Sequence, residues 1–583
     1  MLKKIYPVKY VSLAPLDSST ALFNGVKKLY PKQAEEVYKK LRNIIEDFKK
    51  RNPSKARGSH PLFSEKDAIL ICYADHVRER GVRTFKTMHK FLRQYIGGII
   101  NKVHFLPFYP WSSDDGFSVK DYYKVSKQYG GRGDLKPIAK DFGLMFDCVA
   151  NHMSVQSEWF QKFLAGDKKY KDYFIVFSKE EHENNKKNFA KVFRPRKQPL
   201  LTLFKTRKGE KYVWTTFSED QADLNFSNPE VFLEMVKILL FYVENGAKAI
   251  RLDAIAYVWK KMGTACFNLS KTHTLVQIVR AVFNEAAPHV WVITETVLPH
   301  KENTSYFGNG SNEAHLVYHF QLETLLLHTM LSGNSSLASN WLRKIKYAGE
   351  QTSYLNLSVS HDGIHAIPAR GILNKKQMRA IALDCEKKGG KILERDSGNG
   401  ETEIYEMNIT YPSAMGEINK YLASQSIQLA LRGVPLIYFN NLIGANNWNK
   451  GIEKLGYGRA INREKFDYSK LTKELNDVNS HKHKIFYGYK KLLKARIKEP
   501  LFSPLAEQKI LNLGHGAMAI LRFNKNSDNL LAITNVTNRI LKINANAVKQ
   551  EMQKKRVKDI LTQEKLKLEK YLVLKPYEVK WLK

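Results

Sequence analysis

The sequence is poor in cysteine: four in 583 residues, at Cys72, Cys148, Cys266 and Cys385, with no C-x-x-C pair. That scatter excludes a disulfide scaffold and the usual zinc site, and points to a reducing cytoplasm. Long apolar runs are missing too. No stretch approaches the roughly 18 uninterrupted apolar residues that a membrane-spanning helix needs. The first ten residues are basic but lack an apolar segment with a small-residue cleavage site, so no secretory signal is expected. Acidic side chains are the scarce charge, 57 Asp and Glu against 94 Lys and Arg, a formal net of +37. Such an excess fits either a polyanion partner or a lysine-rich solvated surface. The basic residues are spread along the chain, with modest clusters over 186–197 and 554–570, which favours the surface. Neither nucleic acid nor membrane is an expected partner.

What the chain has is length and apolar content. With 43% hydrophobic and 11% aromatic residues it is globular, and its length calls for two to four structural units. Val37, Tyr38, Leu41, Ile44, Ile45 and Phe48 repeat with helical period, so the first 60 residues form a helical extension. From Asp67 the pattern changes to eight short apolar runs, at 68–73, 103–108, 143–149, 249–253, 290–295, 316–320, 354–360 and 434–439. They are apolar on both faces, as buried parallel strands must be, and helix-like stretches separate them. One such helix has Asn228 as N-cap, Pro229 at its first position and Gly246 just past its end.

Eight strand–helix units predict an α/β fold, a (β/α)8 TIM barrel whose site lies at the strand C-termini. Residues 152–227 are too long for a loop and predict a subdomain inserted after the third strand. Beyond about 495 the helical pattern gives way to a small antiparallel β domain. The expected division is 1–60 extension, 61–151 first part of the barrel, 152–227 insert, 228–494 remainder of the barrel and 495–583 β domain.

At the strand ends stand Asp147 with Asn151 and His152, Arg251 with Asp253, then Glu295, and His361 with Asp362. Any one of these carboxylates could be a salt bridge or a helix cap. Several converging on one barrel face, beside an arginine, point to a site. Without an evident metal set they suggest glycosidic chemistry, in which one carboxylate attacks the anomeric carbon and a second, protonated, serves the leaving oxygen. Arg251, two residues before Asp253, faces the same side and can hold it ionised. A metal role for Asp147, Asn151 and His152 is weighed and set below hydrogen bonding and structural roles; no metal and no cofactor is expected.

These residues also carry a resemblance. Asp147-Cys-Val-Ala-Asn-His, Gly246-Ala-Lys-Ala-Ile-Arg-Leu-Asp-Ala, Ile293-Thr-Glu and Ser360-His-Asp-Gly resemble the four conserved regions of the α-amylase superfamily, glycoside hydrolase family 13. Gln221-Ala-Asp-Leu-Asn resembles its fifth. Leu106-Pro-Phe-Tyr-Pro-Trp-Ser-Ser-Asp-Asp-Gly-Phe-Ser-Val, Gly263-Thr-Ala-Cys-Phe and Gly458-Arg-Ala-Ile-Asn-Arg are similar to the sucrose phosphorylase subfamily. Pro299-His-Lys, Tyr306-Phe-Gly, Glu313-Ala-His, Glu453-Lys-Leu-Gly-Tyr and Tyr405-Glu resemble the glucosylglycerate phosphorylases above all.

The resemblance implies a disaccharide phosphorylase that moves a glucosyl unit from a small α-glucoside to phosphate, giving α-glucose 1-phosphate. It implies Asp253 as nucleophile, Glu295 as acid/base and Asp362 as transition-state stabiliser. His152, His361 and Arg251 would contact the glucosyl unit or the nucleophile, and Asp114 and Arg459 would close the donor subsite. Arg196 and Tyr257 would bind phosphate, with Tyr405 and Glu406 also at the acceptor side. A guanidinium and a hydroxyl suit phosphate, which must enter in place of water. The reaction would be a double displacement with retention, its two reacting carboxyls roughly 5–5.5 Å apart.

Four positions depart from the pattern. Val297 stands where a polar residue is usual, His365 where Gly is usual, and Ala366-Ile367 also differ. All lie near the acceptor subsite, so the acceptor stays open between glycerate, glycerol, fructose and fructose 6-phosphate. A bulky His365 is expected to intrude on the pocket. Two other readings remain: a hydrolase or transglucosylase on the same barrel, and a non-catalytic basic binding protein.

Overall fold

The structure, a computed structural model, describes residues 18–56, 63–195, 198–396, 402–524 and 528–583. At its centre eight strands close a barrel in chain order: β1 (Ile69–Cys72), β2 (Lys102–Phe105), β3 (Gly143–Val149), β4 (Ala247–Asp253), β5 (Trp291–Thr294), β6 (Leu316–Tyr318), β7 (Ser353–Asn356) and β8 (Val434–Tyr438). Every neighbouring pair is parallel, including β8 with β1. All eight predicted runs become barrel strands. Their side chains are buried on both faces, by the barrel interior and by the surrounding helices, which is why the runs show little alternation.

The helices between them are held by local signals. Pro229–Glu244 starts at Asn228, whose side chain accepts from the Glu230 N–H. Gly246 follows with φ 101°, a conformation that favours glycine, and turns the chain directly into β4.

The first helices, α1 (Ser18–Leu29) and α2 (Ala34–Arg51), lie against Ser270–Ala286 and Pro229–Glu244. Val37, Leu41, Ile45 and Phe48 of α2 are buried. Each contributes on the order of 1.5–3 kcal/mol by leaving water, as an upper figure. The flanks are pinned by Arg42 to Glu285 at 2.5 Å and by the Tyr30 hydroxyl donating to the Phe226 carbonyl at 2.8 Å.

Two excursions leave the barrel on its C-terminal face. The first follows β3 and carries a sheet in the order Val176–Phe177, Gly209–Trp214, Leu201–Thr206. Its two ends are tied by antiparallel pairing of His152–Ser154 with Gln221–Asp223. The second, between β7 and β8, was not expected. It is a three-stranded sheet of Ile364–His365, Thr402–Asn408 and Lys391–Asp396, with the helix Lys375–Lys387. Its strands are short or studded with charge, so no apolar run announces them.

After the helix His481–Arg496, strands Glu507–Leu511, Ala517–Phe523, Asn529–Asn535 and Val579–Leu582 form an antiparallel sheet. Trp581 packs on Phe502, with ring centres 4.6 Å apart. All four cysteines are buried and unpaired. No helix among the described residues is long and apolar enough to cross a membrane.

Candidate active site

The barrel register places the first charges. Asp147 of β3 pairs with Arg251 of β4, which pairs with Ile293 of β5. Asp147, Arg251 and Asp253 therefore face inward on adjacent strands, one step from the C-terminal rim. Arg251 Nη1 donates to Asp147 Oδ1 at 2.5 Å and to Asp253 Oδ1 at 2.6 Å. Its Nη2 lies 3.9 Å from Glu295 Oε2. His104 contacts the second oxygen of Asp147 at 2.7 Å. Burial pushes Asp147 up, but Arg251 and His104 outweigh it and hold its carboxyl at about 2.

Asp253 ends β4, and the next residue leaves regular geometry. Ala254 has φ 47°, a left-handed conformation uncommon for a residue with a Cβ. That turn aims its N–H at Glu295 Oε2, 3.0 Å away, so the strand end fixes both carboxyls together. Strain of this kind is characteristic of sites that need a fixed geometry. Burial pushes Asp253 up, Arg251 pulls it back, and Glu295 and Asp147 push it up again, the net direction being upward. Arg251 alone, contrary to the sequence expectation, does not set its charge. The direct guanidinium contact favours the ionised form of Asp253 against the burial and neighbouring carboxylates that raise it.

Asp362, beyond β7, is fixed from a different direction. Arg459 Nη1 contacts its Oδ1, and Arg463 Nη2 donates to the same oxygen at 3.2 Å. Asn462 Nδ2 donates to the Asp362 carbonyl at 3.0 Å. Burial pushes this carboxyl up, but the guanidinium groups of Arg459 and Arg463 hold it well below the usual range. His361 stacks on Phe117, centres 5.1 Å apart and planes 5° apart. Burial keeps His361 well below the usual imidazole range, and lowers His152 as well. Both rings are held toward the neutral form; the Nε2 of His361 lies 3.7 Å from Asp362 Oδ1, while His152 is hydrogen-bonded. His152 donates or accepts among the Phe117 carbonyl at 3.1 Å, Gln221 at 3.2 Å and Asn151 at 3.2 Å.

One pocket collects Asp253, Glu295 and Asp362 with Asp114, His152, Arg251, His361, Arg459, Tyr257 and Tyr405. Val297 and His365 are in its wall as well. His365, expected to intrude, lines the pocket with its Nδ1 held by Glu323 at 2.9 Å. Glu406, expected at the acceptor side, lies behind the wall with both carboxylate oxygens on Arg459. It positions Arg459 and is no part of the lining. Arg196 lies outside the described residues.

Sequence reasoning missed the next shell. Arg463 sits inside a quoted motif, yet only the structure reveals that it joins Asp362 to Asp115, 3.0 Å away. Asp115 is also held by the Tyr457 hydroxyl at 2.6 Å; burial pushes it up, and Arg463 brings it down to about 2. Lys260 Nζ contacts Asn151 Oδ1 at 2.6 Å and Asp223 Oδ2 at 2.5 Å. Asn151, weighed as a metal ligand, thus gives its oxygen to a lysine.

Comparison with known proteins matches residues 93–362 to the α-amylase catalytic domain. The glucosylglycerate phosphorylase of Spirochaeta thermophila is 43% identical over 520 residues, 87% of each chain. The chain belongs to the α-amylase family, glycoside hydrolase family 13. The glucosylglycerate phosphorylase of Escherichia coli is 36% identical over 89% of this chain and 92% of its own. Among solved structures, sucrose 6F-phosphate phosphorylase from Thermoanaerobacter thermosaccharolyticum superposes with a TM-score of 0.72 at 24% identity, over 81% of this chain and 94% of that one. That likeness speaks to the family fold.

Proposed function

We propose that this chain is a retaining glucosyl phosphorylase acting on a small α-glucoside, of which glucosylglycerate is the leading candidate. The observation that carries the reading is the join of Asp253 and Glu295 through Arg251 and the Ala254 N–H, in a chain 43% identical to a glucosylglycerate phosphorylase. The Asp253 carboxylate attacks C1 of the glucosyl unit as the bond from C1 to the leaving oxygen breaks. Glu295 gives its proton to that oxygen, leaving a β-glucosyl ester on Asp253. A phosphate oxygen then attacks C1, the ester bond breaks, and the phosphate proton passes to Glu295. The product is α-glucose 1-phosphate, and both carboxyls return to their starting states.

Asp362, ionised under Arg459 and Arg463, stabilises the positive charge that develops on the sugar ring. His152, His361 and Asp114 hold its hydroxyls. Tyr257, Tyr405 and Arg196 serve phosphate and the acceptor. No cofactor is needed. The excess positive charge is solvated surface, with neither nucleic acid nor membrane as partner. Four buried thiols fit a cytoplasmic setting. The domain division at 60, 151, 227 and 494 is kept as part of this reading.

The test is glucose 1-phosphate release from glucosylglycerate with and without inorganic phosphate. Release that requires phosphate supports the reading; free glucose at the same rate in its absence makes the enzyme a hydrolase.

A further inference from the structure

His365 stands where the chain turns from Asp362 into the three-stranded sheet, opposite Glu406 and beside Tyr405. Its backbone N–H and its Nδ1 face the same oxygen, Glu323 Oε2, at 2.8 and 2.9 Å. Both residues are essentially without solvent contact, and Phe320 closes the ring edge at 5.1 Å. A buried carboxylate served by one imidazole favours the charged ring. Burial pushes His365 down, but Glu323 from its helix, Glu406 from the facing strand and Asp362 from the preceding turn together lift it to about 9.

With Nδ1 committed to Glu323, the other nitrogen decides what the ring does. Nε2 makes no hydrogen bond among the described residues, Glu406 Oε2 being 3.9 Å away. The other cations of the described lining are engaged: Arg251 on Asp147 and Asp253, Arg459 on Asp362 and Glu406.

We propose that the Nε2–H of His365 recognises a small oxyanion in the acceptor subsite, either the carboxylate of a hydroxy-acid acceptor or the incoming phosphate. The proposal rests on the phosphorylase reading above and adds a specificity-determining residue to it. A neutral polyol has no charge to meet that N–H, so an anionic acceptor gains over a neutral one of the same size.

The experiment compares wild type with His365→Gln. In synthesis, glucose 1-phosphate is offered with glycerate or glycerol; in phosphorolysis, phosphate is varied. A fall of at least fivefold in the glycerate-to-glycerol ratio of kcat/KM assigns the site to the carboxylate. A rise of at least fivefold in the phosphate KM assigns it to phosphate. Changes below fivefold in both overturn the proposal. Should the variant not fold, wild type read from pH 7 to 10 carries the test. Glycerate preference or phosphate affinity falls as the pH passes about 9, and constancy of both overturns the proposal. Absence of wild-type turnover would count against the phosphorylase reading alone. Glycerate and phosphate binding by titration calorimetry, wild type against variant, then tests His365 by the same fivefold criterion.

Discussion

Glu406 holds Arg459 by two parallel hydrogen bonds, Nε to Oε1 at 2.9 Å and Nη2 to Oε2 at 2.6 Å, while the remaining nitrogen of Arg459 reaches Asp362. The carboxylate behind the wall therefore sets the position of the guanidinium in it, and through that the charge and orientation of Asp362.

Replacing Glu406 by Gln keeps the shape but removes the charge. The Arg459 side chain loses its bidentate partner, and kcat falls by about 10²-fold, as expected when a positioned group is misplaced. Stability drops by about 3 kcal/mol because a buried cation loses one of its anions. Steady-state kinetics and denaturant unfolding measure the two effects. A variant with wild-type kcat would show that Arg459 is held without Glu406.

In the proposed mechanism Asp253→Asn removes the group that forms the covalent intermediate. The expected loss in kcat is on the order of 10⁴-fold or more, with the melting temperature near wild type or above it. The rise in melting temperature follows from Asp253 being pushed upward by burial and two neighbouring carboxylates. Glucose 1-phosphate release and a thermal melt check both halves.

Stability should depend on pH through Asp147. Its folded value is about 2, below the ordinary carboxylate value, so the unfolded chain binds the proton more readily. The stabilisation is complete above about pH 4 and disappears as the pH falls through 2, a loss of about 2 kcal/mol. Urea unfolding of wild type and Asp147→Asn between pH 6 and 2 gives the comparison. The variant starts lower at neutral pH and has the flatter slope.

Leu41→Ala empties a fully buried position on α2, far along the chain from every site residue. The expected cost is about 2–5 kcal/mol in unfolding free energy, with KM for the glucosyl donor within twofold of wild type. A shift in KM would mean that the helical extension bears on the pocket.

The barrel was legible because parallel strands buried on both faces leave short unbroken apolar runs, and those of β3, β4, β5 and β7 lead into polar residues of the site. The motif resemblance singled out Asp253, Glu295 and Asp362, and the structure brings the three to one pocket. The sheet between β7 and β8 was not legible. Ile364–His365 is two residues long, and Thr402–Asn408 carries Glu403 and Glu406 among its apolar residues with no clean alternation. Arg463 and Lys260 were hidden differently. Each works through a partner more than 100 positions away in sequence, Asp362 and Asn151, and charge spacing along a lysine-rich chain holds no trace of such pairs. The state of His365 is a tertiary property as well, since Glu323 lies on a helix 42 positions earlier in the chain.

The four buried thiols have a practical consequence. Burial pushes Cys72 well above the usual thiol range and lifts Cys385 to about 12, while Cys148 rises too, its carboxylate neighbours adding to the effect. The thiolate is what attacks an alkylating reagent, and all four sulfurs are buried out of its reach, so they stay silent while the chain is folded. Their labelling rate becomes a clock for how often the molecule opens, and a cysteine introduced on the surface would accept a fluorophore with no native thiol competing for it.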